Sequence, residues 1–263
     1  MSMSLAELEK ALRGLRLSGM IATLPARAVQ VSSCEMNFLE AFSHLVQDEL
    51  DRRRSRLIER YFTKSGLPER KDFQFFDWSF NPELPKRDVL ELATLKFLEA
   101  REDALLIGTP GTGKSHAAKA FAWLAIQRGY QVHYREALTL IEEINLARED
   151  GTIRRYRTHL KNVPLLVIDD LFLKVLPTNA GEELVDILMS RYEKRSSVIT
   201  SNRPIEDWGT LLGDVVMVGP LLDRLMHHGH LLPFKGPSWR MKEAAARLAR
   251  AKDAACFPQQ KAA

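Results

Sequence analysis

Two different spacings of apolar residues divide the chain. In the first part, large apolar side chains recur every three or four positions, which is the repeat of an amphipathic helix. One such stripe covers residues 5–15 and a second covers residues 38–50. We therefore predict that residues 4–65 are helical, with interruptions at Gly19 and Pro25.

After residue 88, short continuous apolar runs alternate with helical stripes. Runs that are apolar on both faces are typical of strands buried in a parallel sheet, with helices on both sides. The pattern predicts an α/β fold with a parallel sheet flanked by helices. The predicted strands cover residues 105–107, 131–134, 163–170, 197–202 and 229–234. The predicted helices cover residues 89–98, 115–127, 137–149, 181–195 and 220–227, and a further segment, 152–161, precedes the third strand.

Prolines and aromatic residues fill the segment between these two parts. Five aromatic residues lie within residues 73–80, and their exposure to solvent would be costly. We expect them to pack along the domain that follows. The predicted regions are a small all-helical N-terminal domain (residues 1–66), this linker (67–88), an α/β domain (89–235) and a basic C-terminal tail (236–263).

The first predicted strand runs into a glycine-rich turn that ends in Lys114 and Ser115 and opens a helix. This is the spacing of a phosphate-binding P-loop, although a chance glycine turn is the alternative. Glycines let backbone N–H groups surround a phosphate, and the helix directs its positive N-terminal end at the same anion. Lys114 is expected on the phosphates and Ser115 on Mg²⁺. The loop consists of Gly108, Thr109, Pro110, Gly111, Thr112, Gly113, Lys114 and Ser115.

Polar side chains stand at the ends of two later strands. Asp169 and Asp170 follow four apolar residues, and Asn202 ends the next strand. At the sheet edge that carries the P-loop, Asp169 would hold Mg²⁺ and Asp170 would orient or deprotonate the attacking water. Asn202 would position that water. The alternatives are a surface turn for the acids and an ordinary turn for Asn202.

Arg224 lies in a helical segment whose leucines are predicted to face inward, which leaves the arginine outward. An arginine supplied across a subunit boundary stabilises the charge that builds on a transferred phosphoryl group. The alternative, an intramolecular salt bridge with Asp223 or another acid, stays open. The sequence therefore offers Arg224 as a candidate for a site shared between copies.

Two basic stretches are candidates for phosphate-backbone contacts. Residues 152–161 contain no acid, and residues 52–60 carry an arginine run that acidic neighbours partly neutralise. A solvated helix face is the alternative for both stretches. The individual candidates for DNA contact are Arg154, Arg155, Arg157, Lys161 and Lys174.

Composition adds only mild constraints. The net charge of +4 permits a nucleic-acid partner without requiring one. Cys34 and Cys256 have no metal-type spacing, which suits inert thiols in a reducing compartment. The N-terminus has no signal pattern, and no apolar run approaches the ~20 residues that span a bilayer. We expect a cytoplasmic protein with no membrane contact.

The motifs taken together resemble the IstB/DnaC group of AAA+ ATPases, and most closely the IstB-type helpers of insertion-sequence transposition. The resemblance covers most of the chain. It rests on the P-loop, the strand that ends in Asp169 and Asp170, residues 200–204 with Trp208 and Gly209, and residues 221–225 followed by His227 and His228. Outside this domain it includes residues 15–20, 48–53 and 80–85.

This resemblance implies an AAA+ P-loop ATPase domain without the full C-terminal helical lid. It implies ATP and Mg²⁺ as cofactors, hydrolysis of ATP to ADP and phosphate, and a homo-oligomer with ATP at its subunit interfaces. Such an oligomer would wrap duplex DNA with little sequence preference, select a target, and recruit and stimulate its cognate transposase. Hydrolysis would control assembly and release.

The resemblance also implies roles for matching residues. Asp169 and Asp170 would be the Walker B acids, Asn202 the sensor 1 residue and Arg224 the arginine finger. Asp170 departs from AAA+ proteins at large, in which glutamate is usual, and its shorter side chain could slow hydrolysis. Arg240 is a further candidate for nucleotide contact, because Ser238-Trp239-Arg240 resembles a Ser-aromatic-Arg triplet that recurs in the group.

Three other functions remain open at this point. A DnaC-like replicative helicase loader shares the ATPase and differs in its partner. A small-molecule P-loop kinase would need a lid over its acceptor and would act as a monomer. A nucleotide-gated DNA clamp would bind ATP and hardly hydrolyse it.

Overall fold

The computed structural model describes residues 3–33, 35–174, 176, 178–212 and 215–256. Cys34 lies outside these ranges, and only the backbone of Cys256 is described. The chain divides into two compact units, one up to Tyr61 and the other from Phe62 onward. Each described helix is too short or too polar to cross a bilayer.

The first unit is helical, as predicted. It contains α1 (Leu5–Gly14), α2 (Ser18–Ser32) and most of α3 (Phe38–Ser65). Ser4 and Glu7 form a capping box at the start of α1, which satisfies N–H groups that the helix leaves unpaired. 

The predicted interruptions at Gly19 and Pro25 are wrong, because both residues lie inside α2. The chain turns instead at Arg16, whose φ is 60°. Gly19 is required for close packing, since a Cβ there would lie 2.7 Å from the Cα of Glu49.

The second unit is built on a sheet in which every described strand pairing is parallel. The five strands follow the order β2-β3-β4-β1-β5 across the sheet. Strand β3 therefore lies between β2 and β4. The strands are β1 (Asp103–Gly108), β2 (Val132–Glu136), β3 (Leu165–Leu171), β4 (Ser196–Ser201) and β5 (Gly229–Phe234). The predicted α/β class with a parallel sheet is confirmed.

Helices connect and cover these strands. They are α4 (Lys86–Leu92), α5 (Lys96–Ala100), α6 (Lys114–Gln127), α7 (Ala137–Glu149), α8 (Ile153–Asn162), α9 (Thr178–Arg191), α10 (Trp208–Leu212), α11 (Val215–His227) and α12 (Trp239–Cys256). The predicted helix over residues 89–98 is wrong in detail, because the chain is divided between α4 and α5. Leu95 adopts a left-handed φ of 65° there and lies in the core.

Other parts of the prediction also differ from the structure. Helix α9 ends at Arg191, four residues before the predicted end, since Glu193 takes a left-handed φ of 56° in the turn into β4. The basic tail contains α12, which the hydrophobic pattern did not reveal.

An apolar cluster joins several of the helices to the sheet. Leu166 and Ile168 of β3 are fully buried in it with side chains from α7, α8, α9 and α11. Each such side chain contributes on the order of 1.5–3 kcal/mol by leaving water. This burial fixes β3, and with it the acids at its end.

Arg191 is a polar element of this core that the sequence did not indicate. Its side chain is only 1% exposed. It donates hydrogen bonds to the carbonyl of Leu160 at 2.6 Å, that of Val163 at 2.9 Å and the hydroxyl of Ser197 at 3.0 Å. A buried guanidinium is tolerated when its N–H groups are satisfied in this way. Arg191 thereby connects α9, the end of α8 and β4.

Candidate nucleotide site

The P-loop connects the end of β1 to the start of α6. Gly111 (φ 80°) and Gly113 (φ 103°) adopt left-handed backbone conformations that favour glycine. A Cβ on Gly113 would lie 2.7 Å from the ring of Phe76, and one on Gly111 would clash with Ser238. The loop therefore needs glycine both for its own turn and for the segments packed against it.

Lys114 is buried at the start of α6, with 4% of its surface exposed. Its ammonium group donates to the carbonyls of Gly108 and Thr109, each at 2.8 Å. Burial lowers its pKa to about 8, while the charges of Asp170 and Asp169 oppose that shift. The two acids are thus close enough to act on the P-loop lysine.

Asp169 and Asp170 occupy different environments at the end of β3. Asp169 is 2% exposed and accepts hydrogen bonds from the hydroxyls of Tyr134 and Thr200. Asp170 is half-buried, and burial, followed by the charge of Asp169, raises its pKa. The proximity of Lys114 and Arg240 counteracts this rise.

The P-loop and the end of β3 border a cavity of about 760 Å³, a size typical of small-molecule sites. Its lining includes Lys114, Ser115, Asp170, Asn202 and Arg240. The cavity therefore brings together the P-loop, one of the two acids and the amide that the sequence predicted at neighbouring strand ends.

The aromatic residues of the linker pack along this unit, as expected, except Phe75. Phe73 is buried, with its ring centroid 5.1 Å from that of Phe121 on α6. Phe76 meets the ring of His116 edge-on at 5.0 Å and lines the cavity. Phe75 and Phe80 also line it, and Phe75 is 77% exposed. These rings are candidates for contact with a nucleotide base.

The start of α12 contacts the P-loop. The backbone N–H of Trp239 donates to the carbonyl of Gly111 at 2.9 Å, and Ser238 lies directly against Gly111. Arg240, the next residue, lines the cavity and acts electrostatically on both Lys114 and Asp170. The basic tail thus begins as part of the site.

Arg224 lies outside the residues that line this cavity. Its exposed guanidinium donates to the sulfur of Met189 at 3.4 Å and lies 5.6 Å from the ring centroid of Tyr192. Among the described residues it forms no ion pair with Asp223 or any other acid. It is directed outward, as the leucine pattern predicted.

The basic residues of α8 fall into two groups. Arg157 donates to Glu183 at 2.7 Å and Lys161 to Asp186 at 2.7 Å, so both are engaged within the chain. Arg154 and Arg155 are exposed, and the part of the chain that is described offers their guanidinium groups no hydrogen bond or ion pair. Lys174, just beyond β3, is also exposed.

Tyr134 and Thr200 are site residues that the sequence analysis did not single out. Their hydroxyls reach Asp169 from the two strands that flank β3. Strand order, which the sequence alone leaves undetermined, creates both contacts.

Comparison with known proteins identifies the family of this chain. The model of the IstB-like ATP-binding proteins matches residues 10–247. The protein assigned as ATP-binding in insertion sequence IS21 of Pseudomonas aeruginosa is 34% identical over 90% of this chain and 89% of its own. Its counterpart in insertion sequence IS5376 of Geobacillus stearothermophilus is 30% identical over 91% of this chain and 95% of its own.

Solved structures agree with the fold. The DnaI crystal structure superposes with a TM-score of 0.52 at 19% identity, covering 64% of this chain and 90% of its own. AMPPCP-bound DnaA from Aquifex aeolicus gives a TM-score of 0.54 at 24% identity, covering 70% and 56%. These likenesses concern the fold, which is that of an AAA+ P-loop domain. By sequence, structure and motifs, the chain belongs to the family of IstB-like ATP-binding proteins of insertion sequences.

Proposed function

We propose that this protein hydrolyses ATP and, in its ATP-bound form, assembles on duplex DNA to serve the transposase of an insertion sequence. One observation carries the proposal. Lys114, Ser115, Asp170 and Asn202 line one cavity, whereas the exposed Arg224 lies outside it. A cavity with phosphate-binding and acidic groups and a separate outward arginine fits a site completed by a second copy.

Different residues of the cavity would serve ATP binding and ATP hydrolysis. The N–H groups of the P-loop and the start of α6 attract the phosphates, and Lys114 exchanges its carbonyl partners for phosphate oxygens. Asp170 accepts the proton of the attacking water or orients it, and Asn202 holds the water by its amide. Burial raises the pKa of Asp170, which favours proton acceptance.

The donor set also fits Mg²⁺. The hydroxyl of Ser115 and the carboxylate of Asp169 are the hard oxygen ligands that this ion prefers, and the acids lie close enough to shift the pKa of Lys114. Bound there, Mg²⁺ would neutralise charge on the phosphates. Ser115 and Asp169 would hold it, with Asp169 acting directly or through water.

Arg224 of one copy would reach the cavity of the next. Its contacts with Met189 and Tyr192 are weak, so few interactions are lost when the guanidinium moves to a phosphate. ATP would then join neighbouring copies, and hydrolysis would loosen them. Arg154 and Arg155 would follow the phosphate backbone of the DNA without reading its sequence.

The names of the relatives support the transposition role. Both compared proteins belong to insertion sequences and match along nearly their whole length. We propose that selecting the DNA target and recruiting the transposase are the tasks of this assembly. We expect the protein to act in the cytoplasm, where the duplex DNA that it would bind is located.

A helicase loader is the second candidate, because the DnaC loader shares the fold with a TM-score of 0.50. At 20% identity this likeness concerns the fold alone. Affinity capture separates the two functions, since the proposal predicts binding to the cognate transposase and none to the replicative helicase. The reverse pattern would favour the loader.

Asp170→Asn tests the hydrolysis. The variant keeps the size of the side chain but cannot accept a proton, so ATP-dependent assembly on DNA should persist while phosphate release falls at least ~100-fold. Sedimentation measures the assembly, and a phosphate-release assay measures the turnover. Asp207→Asn, at an exposed acid outside the cavity lining, is the matched control. Parent-level turnover by Asp170→Asn would contradict the assignment.

A further inference from the structure

Two hydroxyl groups hold the two oxygens of the Asp169 carboxylate. Tyr134 on β2 donates to Oδ2 at 2.5 Å, and Thr200 on β4 donates to Oδ1. Since β3 lies between these strands, the hydrogen bonds arrive from opposite sides. The carboxylate is therefore fixed at both oxygens by the neighbouring strands.

All three side chains are buried, with 2% exposure for Tyr134 and Asp169 and none for Thr200. The phenol of a tyrosine carries its proton at physiological pH and so acts as a donor to the carboxylate. Hydrogen bonds to a charged group in such an environment are stronger than those between neutral groups.

Thr200 also acts on the second acid. Its hydroxyl accepts a hydrogen bond from the backbone N–H of Asp170 at 2.8 Å while donating to Asp169. A hydroxyl has one donor and two acceptor positions, so it can serve both. Asp170 takes a left-handed φ of 54°, which few residues with a Cβ adopt. The hydroxyl of Thr200 stabilises this turn and joins the two acids.

We propose that Tyr134 and Thr200 are positioning residues of the nucleotide site, which hold Asp169 in the orientation that engages Mg²⁺. Each carboxylate oxygen has two acceptor positions. Oδ1 accepts from Thr200 and from the backbone N–H of Asp170 at 3.2 Å, whereas Oδ2 accepts from Tyr134, which leaves one position on Oδ2 for the ion or its water. Thr200 in addition sets the backbone from which Asp170 reaches the cavity. The inference rests on the proposed function, because it assigns these residues to the same ATP site.

The expected effect is on the coupling between Mg²⁺ and ATP. Loss of a group that orients a metal ligand typically lowers metal affinity ~10–100-fold. Tyr134→Phe and Thr200→Val remove one hydroxyl each and keep the bulk of the side chain. In EDTA, both variants should bind ATP as the parent does. Mg²⁺ should increase the affinity of the parent for ATP, and this increase should be at least ~10-fold smaller in each variant.

The experiment measures the dissociation constant of a fluorescent ATP analogue in Mg²⁺ and in EDTA for the full chain. The ratio of the two constants reports the coupling without requiring turnover. Thr200→Ser keeps the hydroxyl and should restore most of the parent ratio. Tyr156→Phe is the matched control, because this tyrosine donates to Glu143 rather than to Asp169. Phosphate release against Mg²⁺ concentration, and thermal unfolding, are recorded for each variant.

The outcomes separate this inference from the proposed function. If the parent hydrolyses ATP and requires Asp169, but Tyr134→Phe and Thr200→Val keep the parent ratio, the inference fails alone. Variants that only melt at a lower temperature, with the ratio unchanged, also overturn it, since the hydroxyls are then merely structural. A parent that neither hydrolyses ATP nor gains affinity from Mg²⁺ contradicts both. Should Thr200→Val not fold, Tyr134→Phe decides.

Discussion

Arg224 is held by a sulfur atom and an aromatic ring rather than by an acid, which is consistent with the role between copies that we propose for it. An arginine finger is worth ~10³–10⁵ in rate. Arg224→Ala should therefore bind ATP as the parent does and lose at least ~10³-fold in phosphate release. Arg87→Ala, at an exposed arginine of α4, is the control and should retain turnover.

Mixing variants tests whether this arginine acts between copies. Arg224→Ala has intact acids, and Asp170→Asn has an intact Arg224, so a mixture of the two contains complete sites at some interfaces. Phosphate release by the mixture should exceed that of either variant alone. A mixture no more active than its components would place Arg224 outside the shared site.

Asp103 predicts a dependence of stability on pH. Burial raises its pKa from 3.8 to about 6, despite a hydrogen bond from the N–H of Ser197 and the charge of Arg191. Between these values the folded protein holds a proton that the unfolded chain has released. The free energy of unfolding therefore falls as the pH rises through this window, by at most about 1.4 kcal/mol per pH unit.

Asp103→Asn should remove this contribution. The melting temperature of the parent minus that of the variant should fall as the pH rises from about 4 to about 6, and it should stay constant above pH 6. Thermal unfolding followed by circular dichroism across this range measures the difference. Melting temperatures that shift in parallel for both proteins would show that Asp103 is not the titrating group.

The candidate site residues that belong to continuous motifs could be proposed from the sequence. Lys114, Asp169 and Asp170 each follow an apolar strand, so their position at the sheet edge follows from local pattern. Tyr134 and Thr200 could not be found in this way, because each lies more than 30 residues from Asp169 along the chain and meets it only through strand order.

Helix α8 presents two kinds of basic residue, although its sequence shows a single basic run. Arg157 and Lys161 are bound to acids of α9, which attaches the helix to the core. Arg154 and Arg155 remain exposed. The acids that divide the run lie some 25 residues downstream, so inspection of the run itself could not separate the two groups.

Removing the exposed pair should weaken DNA binding. Each phosphate contact contributes about −0.9 to the slope of log affinity against log salt, so Arg154→Ala with Arg155→Ala should reduce its magnitude by about 2. Fluorescence anisotropy of random duplex at several salt concentrations measures this slope. The double change Arg87→Ala with Lys194→Ala removes the same charge elsewhere on the surface and should leave the slope intact. Equal slopes for both double variants would contradict the assignment.

Element boundaries were predictable where apolar periodicity was continuous, as in α7 and β5. They were missed where a residue with a side chain takes a left-handed conformation, as at Arg16, Leu95 and Glu193. Such turns depend on tertiary packing rather than on a glycine signal. Helix α12 was missed for another reason, because its alanine-rich and basic sequence has helix propensity but little apolar patterning.

At the scale of the whole molecule, the alternation of strands and helices was sufficient to predict the parallel sheet. The boundary between the two compact units lies within α3, which no break in sequence pattern marks. The family places the second unit among AAA+ domains, whose nucleotide sites are completed by neighbouring copies in the account proposed above. ATP is then a ligand of the assembly rather than of one chain.

Assembly on DNA tests this central claim most directly. Purified protein is imaged by electron microscopy with random duplex in the presence of ATP and Mg²⁺, in ATP with EDTA, and without nucleotide. The account predicts regular oligomers on the duplex with ATP and Mg²⁺, and none without nucleotide. Protein that stays monomeric and free of DNA at saturating ATP and Mg²⁺ would contradict it.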